Sequence, residues 1–391
     1  MQDEALGARR KDDPAPPAGL SELARLFLRL GFTAFGGPAA HIAMMENEIV
    51  RRRQWLSPER FLDLLGASNL IPGPSSTELA IFIGYERAGW RGLLVGGTCF
   101  ILPAAGMVAL LGFVYVRLGA LPQVAGVLYG VKPVVIAVVV QALWKLGPKA
   151  VKKSVGLAAL AVAAGLVSAL RVDAFSVLIG AGVTSALTNC LRKRAAPALS
   201  PSILGLLSAS GASAAAPFSM PLLFVTFLKI GASAFGSGYV LLAFLRADLV
   251  DRLHWLTEPQ LLDAVAIGQV TPGPVFTTAT FIGYLLGGSL GAVVATVGIF
   301  LPGFVLVALM PPLIVRIRSS PVAGAFLDGV TVAALALMAV VTVQLGRAAL
   351  VDVPTVVLAL AGVVALVRFE VNTTWLVVGG AVVGAALRAA R

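Results

Sequence analysis

The chain has 391 residues and a net charge of +11, and is 58% hydrophobic and only 13% charged, with a mean hydropathy of +0.92. Soluble domains carry about 25% charged residues, so a water-soluble globule is excluded and a lipid bilayer is the expected solvent. The basic residues gather in loops such as Arg51–Arg53, 149–153 and 192–194. That pattern fits membrane topology better than nucleic-acid binding, because cytoplasmic loops carry excess Lys and Arg.

Along the chain, residues 1–20 are polar, charged and proline-rich, without the short apolar core of a signal peptide, so a cytoplasmic tail is expected. Apolar runs then recur to the C-terminus, most of them about 17 to 25 residues long, the length a spanning helix needs. FLRLGFTAFGG at 27–37 aligns with FLKIGASAFGS at 227–237. The same offset pairs Trp55-Leu56-Ser57 with Trp255-Leu256-Thr257, Asp63 with Asp263, and Pro72-Gly73-Pro74 with Pro272-Gly273-Pro274. After the loss of one residue, Phe82-Ile83-Gly84-Tyr85 matches Phe281-Ile282-Gly283-Tyr284, and Leu102-Pro103 matches Leu301-Pro302. The expected fold is an all-α polytopic membrane protein built from a first repeat at 21–195, a small-residue linker at 196–216 and a second repeat at 217–391. About ten to twelve apolar segments are expected in all. Four arginines in 51–60 stand against two, balanced by acids, in 246–259, whereas the loop at 316–318 is the more basic of its pair. A loop bias that partly reverses between halves predicts inverted repeats.

Each repeat carries one helix broken at Pro-Gly-Pro. Proline removes a backbone donor and clashes with the preceding turn, and broken backbone at membrane depth must be buried in protein or line a cavity. A helix restarting there offers free N–H groups and its positive dipole end to an anion. The candidate substrate-binding set at these breaks is Asn69, Pro72, Gly73, Ser75, Ser76 and Thr77 in the first repeat, with Gln269, Gly273, Thr277 and Thr278 in the second. Gly36, Gly37, Gly236 and Ser237 lie in glycine clusters that either pack helices closely or bring backbone up to an anion.

The blocks FTAFGGPAAHIAMMENEIV, RRRQWLSPERFLDLLGASNLIPGP, SAFGSGYVLLAFLRADLV and WLTEPQLLDAVAIGQVTPGP resemble the long-chain chromate ion transporter family over residues 22–390. The resemblance implies two fused homologous domains in a bacterial inner (plasma) membrane. It also implies export of chromate from the cytoplasm, chromate resistance and use of the proton motive force. The repeats are unequal, since Asn69 becomes Gln269 and Glu78 has no acidic counterpart, so one substrate site with unequal contributions is expected.

A tetrahedral dianion needs N–H and O–H donors and positive charge in a sheltered site. Lys132, inside an apolar run, is the candidate cation, while Arg53 reads as a solvated or headgroup-facing residue. Glu78 and Asp328 are the candidates for carrying a coupling proton. His41, His254, Asp63 and Asp263 are expected at the interface. Sulfate shares chromate's shape and charge and remains an alternative, as does a passive anion channel. No clustered catalytic groups, paired metal motif or GxxxxGK[ST] loop occurs, so neither an enzyme nor direct ATP drive is expected, and no cofactor. The expected partners are the oxyanion, a proton and the bilayer, with no nucleic acid; the oligomeric state is left open.

Overall fold

A computed structural model of the chain describes residues 19–35, 37–118, 122–152, 154–169, 174–193, 217–235, 240–309, 321–369 and 371–389. The linker, all but the end of the N-terminal tail, the loop at 316–318, and Gly36, Gly236 and Ser237 lie outside the described residues. The described residues are helical, without strands. In the first repeat, α1 is Leu20–Thr33, and α2, Gly37–Glu46, runs on as a π-helical turn over Asn47–Arg52. Next come α3 (Pro58–Ser68), α4 (Ser75–Leu118), α5 (Pro122–Val151), α6 (Val155–Ala169) and α7 (Ala174–Lys193). The second repeat matches them in order. Its helices are α8 (Met220–Ser233), α9 (Leu241–Leu245, continued by a π turn over Arg246–Arg252) and α10 (Glu258–Val270). They continue as α11 (Thr278–Leu309, after a 3-10 turn at Val275–Thr277), α12 (Pro321–Ala349), α13 (Val353–Arg368) and α14 (Thr373–Ala389).

Local chemistry sets the helix starts. Ser57 and Thr257 cap α3 and α10 by accepting from the backbone of Arg60 and Gln260, and each helix has proline in its first two positions, where a missing N–H does no harm. α4 and α11 are not straight. Gly89 and Gly288 hold φ of +59° and +61°, values that favour glycine. The chain reverses at both, because Gly84 lies against Gly92, and Gly283 against Gly291, so closely that a Cβ on either would strike the other's carbonyl. α4 is therefore a short arm at 75–87 folded back on a long arm at 90–118, and α11 repeats the pattern at 278–286 and 289–309.

Ion pairs show that the shorter helices fold back too. Glu22 with Arg53, and Arg29 with Glu48 at 2.6 Å, tie the base of α1 to the far end of the α2 run. Arg60 holds Glu86 at 2.9 Å, tying the start of α3 to the end of the short arm of α4. The first repeat thus opens with two helical hairpins, one turning after Ala34 and the other at Pro72–Pro74, and α8–α11 follow the same order in the second repeat. Each segment broken at Pro-Gly-Pro is a helical hairpin, α3 with the short arm of α4 and α10 with that of α11. Among the described residues five helices are long and apolar enough to cross a membrane, and four shorter apolar helices accompany them.

Directions follow from the contacts. Gly130 of α5 meets Gly380 and Gly384 of α14 while Gly126 meets Ala385 and Arg388, so those helices are antiparallel. Along α13, Tyr129 bonds Asp352 and Gln141 bonds the Leu366 carbonyl, so α5 and α13 are parallel. With short turns joining successive helices within each repeat, both relations hold together only if the repeats are related by a half-turn about an axis in the membrane plane. This is an inverted repeat. The hairpins of the first repeat start at the face that carries Arg51–Arg53, Arg91, Lys149 and Lys152, here called the basic face, and those of the second start at the opposite face.

Candidate anion site at the crossed hairpin tips

The tips of the two repeats meet and exchange hydrogen bonds. The Gly73 amide donates to the Ala234 carbonyl at 2.8 Å, and the Gly273 amide donates to the Ala34 carbonyl at 2.9 Å. Gly73 and Gly273 have φ of +132° and +92°, which turn each amide out of its own hairpin toward the other repeat. These two donors were expected to face an anion. They are instead committed across the repeats, since backbone left unpaired at membrane depth is costly, and Pro72 has no donor to offer. Gly37 has φ of +79° and opens α2.

Beyond the first-repeat tip, α4 starts at Ser75; the Thr77 and Glu78 amides donate to the Pro74 carbonyl at 2.7 and 3.2 Å, so of the first turn only the Ser75 and Ser76 amides lie ahead of the helix's own acceptors. The Thr77 hydroxyl is buried and, among the described residues, has no hydrogen-bond partner. Ser76 lies 3.2 Å from Nδ1 of His41, whose Nε2 lies 2.9 Å from the Ala34 carbonyl. A carbonyl only accepts, so Nε2 carries a proton and donates to Ala34, while Nδ1 meets the Ser76 hydroxyl. One connected path therefore runs from Ser76 through His41 to Ala34, which also receives the Gly273 amide. Glu78 is fully buried, and both its carboxyl oxygens lack a partner among the described residues. It lies against Gly73, where a Cβ would collide with Oε1, and near Gly303 of α11.

The second-repeat tip is different. Val275 and Phe276 stand where the first repeat has Ser75 and Ser76. The Thr277 hydroxyl donates to Pro274 and that of Thr278 to Val275, each at 2.8 Å. Both protons are spent on backbone, so Thr277 and Thr278 bring no hydroxyl donor to an anion, contrary to expectation. Gln269 keeps a buried side-chain N–H group without a partner among the described residues. Asn69, its mate, caps α3 and is exposed.

Lys132 is not an isolated cation. It pairs with Asp263 of α10 at 3.0 Å, and Asp263 also accepts from Tyr115 at 2.9 Å. Asp328 pairs with Lys152 at 2.5 Å beside a cavity of about 160 Å³ that Lys149, Thr331 and Phe235 also line. Arg53 pairs with Glu22 and lies over Trp55 at 5.0 Å, as an interfacial residue does. His254 and Asp63 are exposed, in keeping with an interfacial place, but His41 and Asp263 are buried. Sequence offered one signal for these two. His41 follows the first break and Asp263 precedes the second Pro-Gly-Pro, but which side of each helix meets the other repeat is not a local property. Among the described residues no group of three or more metal-ligating side chains is assembled. The arrangement gathers unspent donors and one unpaired carboxyl at the first-repeat tip, and supports them with a hydrogen-bonded second-repeat tip.

The sequence profile of a family described as chromate transporter matches residues 21–186 and 222–385, once in each repeat. A chromate transport protein of Cupriavidus metallidurans is 36% identical over 387 residues, covering 95% of this chain and 94% of that one. A probable chromate transport protein of Synechococcus elongatus is 32% identical, with 90% of each covered. A chromate transport protein of Pseudomonas aeruginosa is 32% identical over 87% of this chain and 84% of its own length. No solved structure matches.

Proposed function

The chain belongs to the chromate transporter family, and from that premise we propose that it exports chromate from the cytoplasm across the bacterial inner membrane, conferring resistance, as a secondary transporter driven by the proton motive force. The basic face is then cytoplasmic, since Lys and Arg collect on that side. The observation that carries the reading is the crossing of broken hairpin tips from inverted repeats, because transporters of this construction bind substrate at the repeat interface near the midplane. The hydroxyls of Ser75 and Thr77, the amides of Ser75 and Ser76 and the side chain of Gln269 supply donors to the oxyanion. Glu78 carries the coupling proton: ionised, it repels the dianion, and protonated, it tolerates it, so protonation and occupancy are linked.

Chromate uptake into respiring inverted vesicles tests this. Protein-dependent accumulation that an uncoupler abolishes is the expected result. Flux that equilibrates without concentrating, indifferent to the uncoupler, would instead identify a passive channel. Competition by excess sulfate reports whether the site is shared among tetrahedral oxyanions.

A further inference from the structure

We propose that the cavity between α5 and α12 is a capture site at the basic face, in which Lys149 and Lys152 hold a tetrahedral oxyanion dianion before it reaches the crossed tips, and that Asp328 is the resident carboxylate it displaces. The inference rests on the transporter reading and deepens it, because it assigns the step before the anion meets Ser75 and Thr77.

Helix periodicity builds the site. Asp328, Thr331 and Leu335 recur at intervals of three and four along α12, which puts them on one stripe, and all three line the cavity. Leu146, Lys149 and Ala150 form the facing stripe of α5. α5 ends and α12 begins at the basic face, where Lys152 meets Asp328. Leu335, further along α12, therefore lies about 10 Å deeper than Asp328. The lining is completed by Phe235, just after α8, and Val240, just before α9. Phe235 adjoins Ala234, whose carbonyl receives the Gly73 amide in the turn ahead of Ser75. The cavity thus leads from the basic face toward the crossed tips.

Its charge lies at the mouth and its apolar walls lie deeper. Lys149 and Lys152 are exposed, while Leu146, Ala150, Val240 and Leu335 supply walls of low dielectric that focus the field of the lysines into the cleft. Thr331 donates to the Leu327 carbonyl at 2.8 Å, so its proton is spent and the lysines are the donors. At about 160 Å³ the space exceeds the share of several water molecules, and an oxyanion enters with part of its hydration. Lys152 and Asp328 are both partly exposed, and an exposed pair is held weakly. A dianion brings Lys152 more charge than one carboxylate does, so the exchange costs little. Asp328 in turn limits how long the anion stays, because a site on a transport path must release its ion as well as admit it.

Two experiments on the full chain test the site. In respiring inverted vesicles, Lys149→Gln combined with Lys152→Gln is expected to raise the KM for chromate about tenfold and to leave maximal flux within about twofold, as loss of focusing charge does. An unchanged KM overturns the proposal. The second experiment needs no transport, so it decides the site even if chromate proves not to be the cargo. In a Cys99→Ser, Cys190→Ser background in phosphatidylcholine nanodiscs, Leu335→Cys, or Thr331→Cys nearer the mouth, is labelled with methanethiosulfonates of opposite charge. The anionic reagent is expected to lose about tenfold in rate relative to the cationic one when both lysines become glutamine, and sulfate is expected to slow it more than chloride of equal ionic strength. A charge preference indifferent to the lysines, or sulfate no better than chloride, overturns the proposal. So does labelling that phosphatidylglycerol blocks and sulfate does not, since the cavity would then hold a lipid headgroup and not an anion in transit.

Discussion

Residues 58–68 and 258–270 form corresponding helices of two related repeats, share an aspartate at the same place and end at the same Pro-Gly-Pro, yet one lies on the outside of its module and the other is enclosed. The tips differ in a complementary way. The exposed first repeat keeps Ser75, Ser76, Thr77, Glu78 and His41, while the enclosed second repeat has Val275, Phe276 and two threonines bonded to their own backbone. The polar groups without partners among the described residues thus lie mostly at the tip whose helices α2 and α3 are the more exposed, and the backbone-bonded hydroxyls at the tip whose helices α9 and α10 are enclosed. A binding element must be able to change its contacts, which favours drawing it from the less firmly held region.

Gly73→Val and Gly273→Val are the harshest test, because both positions have positive φ and both amides serve the other repeat. Loss of folded protein from the membrane is expected for both alike, measured as detergent-extracted monodisperse protein, since each amide donates to a carbonyl of the other repeat. Leu262→Ala and Leu62→Ala should separate the repeats. The enclosed site is expected to lose about 2–5 kcal/mol and the exposed one about 0.5 kcal/mol or less, read from thermal unfolding in detergent. Equal losses would mean that the enclosure of α10 has no energetic content.

Glu78→Gln is expected to leave the protein folded but to lower uncoupler-sensitive flux about tenfold, in keeping with the loss of a proton-transfer group, and to flatten its dependence on pH. Thr278→Val should change flux less than about twofold, since the hydroxyl only back-bonds to Val275. Parity between the two would remove the division of labour. The mildest effect is at Glu48. Burial pushes its carboxyl up, but the hydrogen bond and charge of Arg29 and the charges of Arg52 and Arg53 outweigh this and hold it below its ordinary range. Its stabilisation is therefore complete above the unfolded value of about 4.3 and is lost as pH falls through the lower folded value. Acid unfolding of Glu48→Gln should be flatter than that of the parent across that interval.

The repeat and its breaks were legible because proline and glycine act locally, and the alignment of Trp55, Pro72-Gly73-Pro74 and Phe82 with their mates depends on no packing. The inversion was legible in part, from arginines at 51–60 and 316–318. The commitment of Gly73 and Gly273 was not, since each amide's acceptor lies in the other repeat, more than a hundred residues away. Nor was the spending of the Thr277 and Thr278 hydroxyls, which depends on a 3-10 turn that replaces the helix start found at Ser75. Lys132 was recognised as an unusual cation, but its partner Asp263 lies 131 residues further along and was assigned to the interface.

The exchanged amides at the tips also mean that half of this chain is not a smaller version of the whole. Severed from its mate, either half would keep a bare amide and a bare carbonyl in hydrocarbon, and would settle only beside a second copy facing the other way. Duplication and fusion in such a chain amount to a dimer made permanent by a covalent joint.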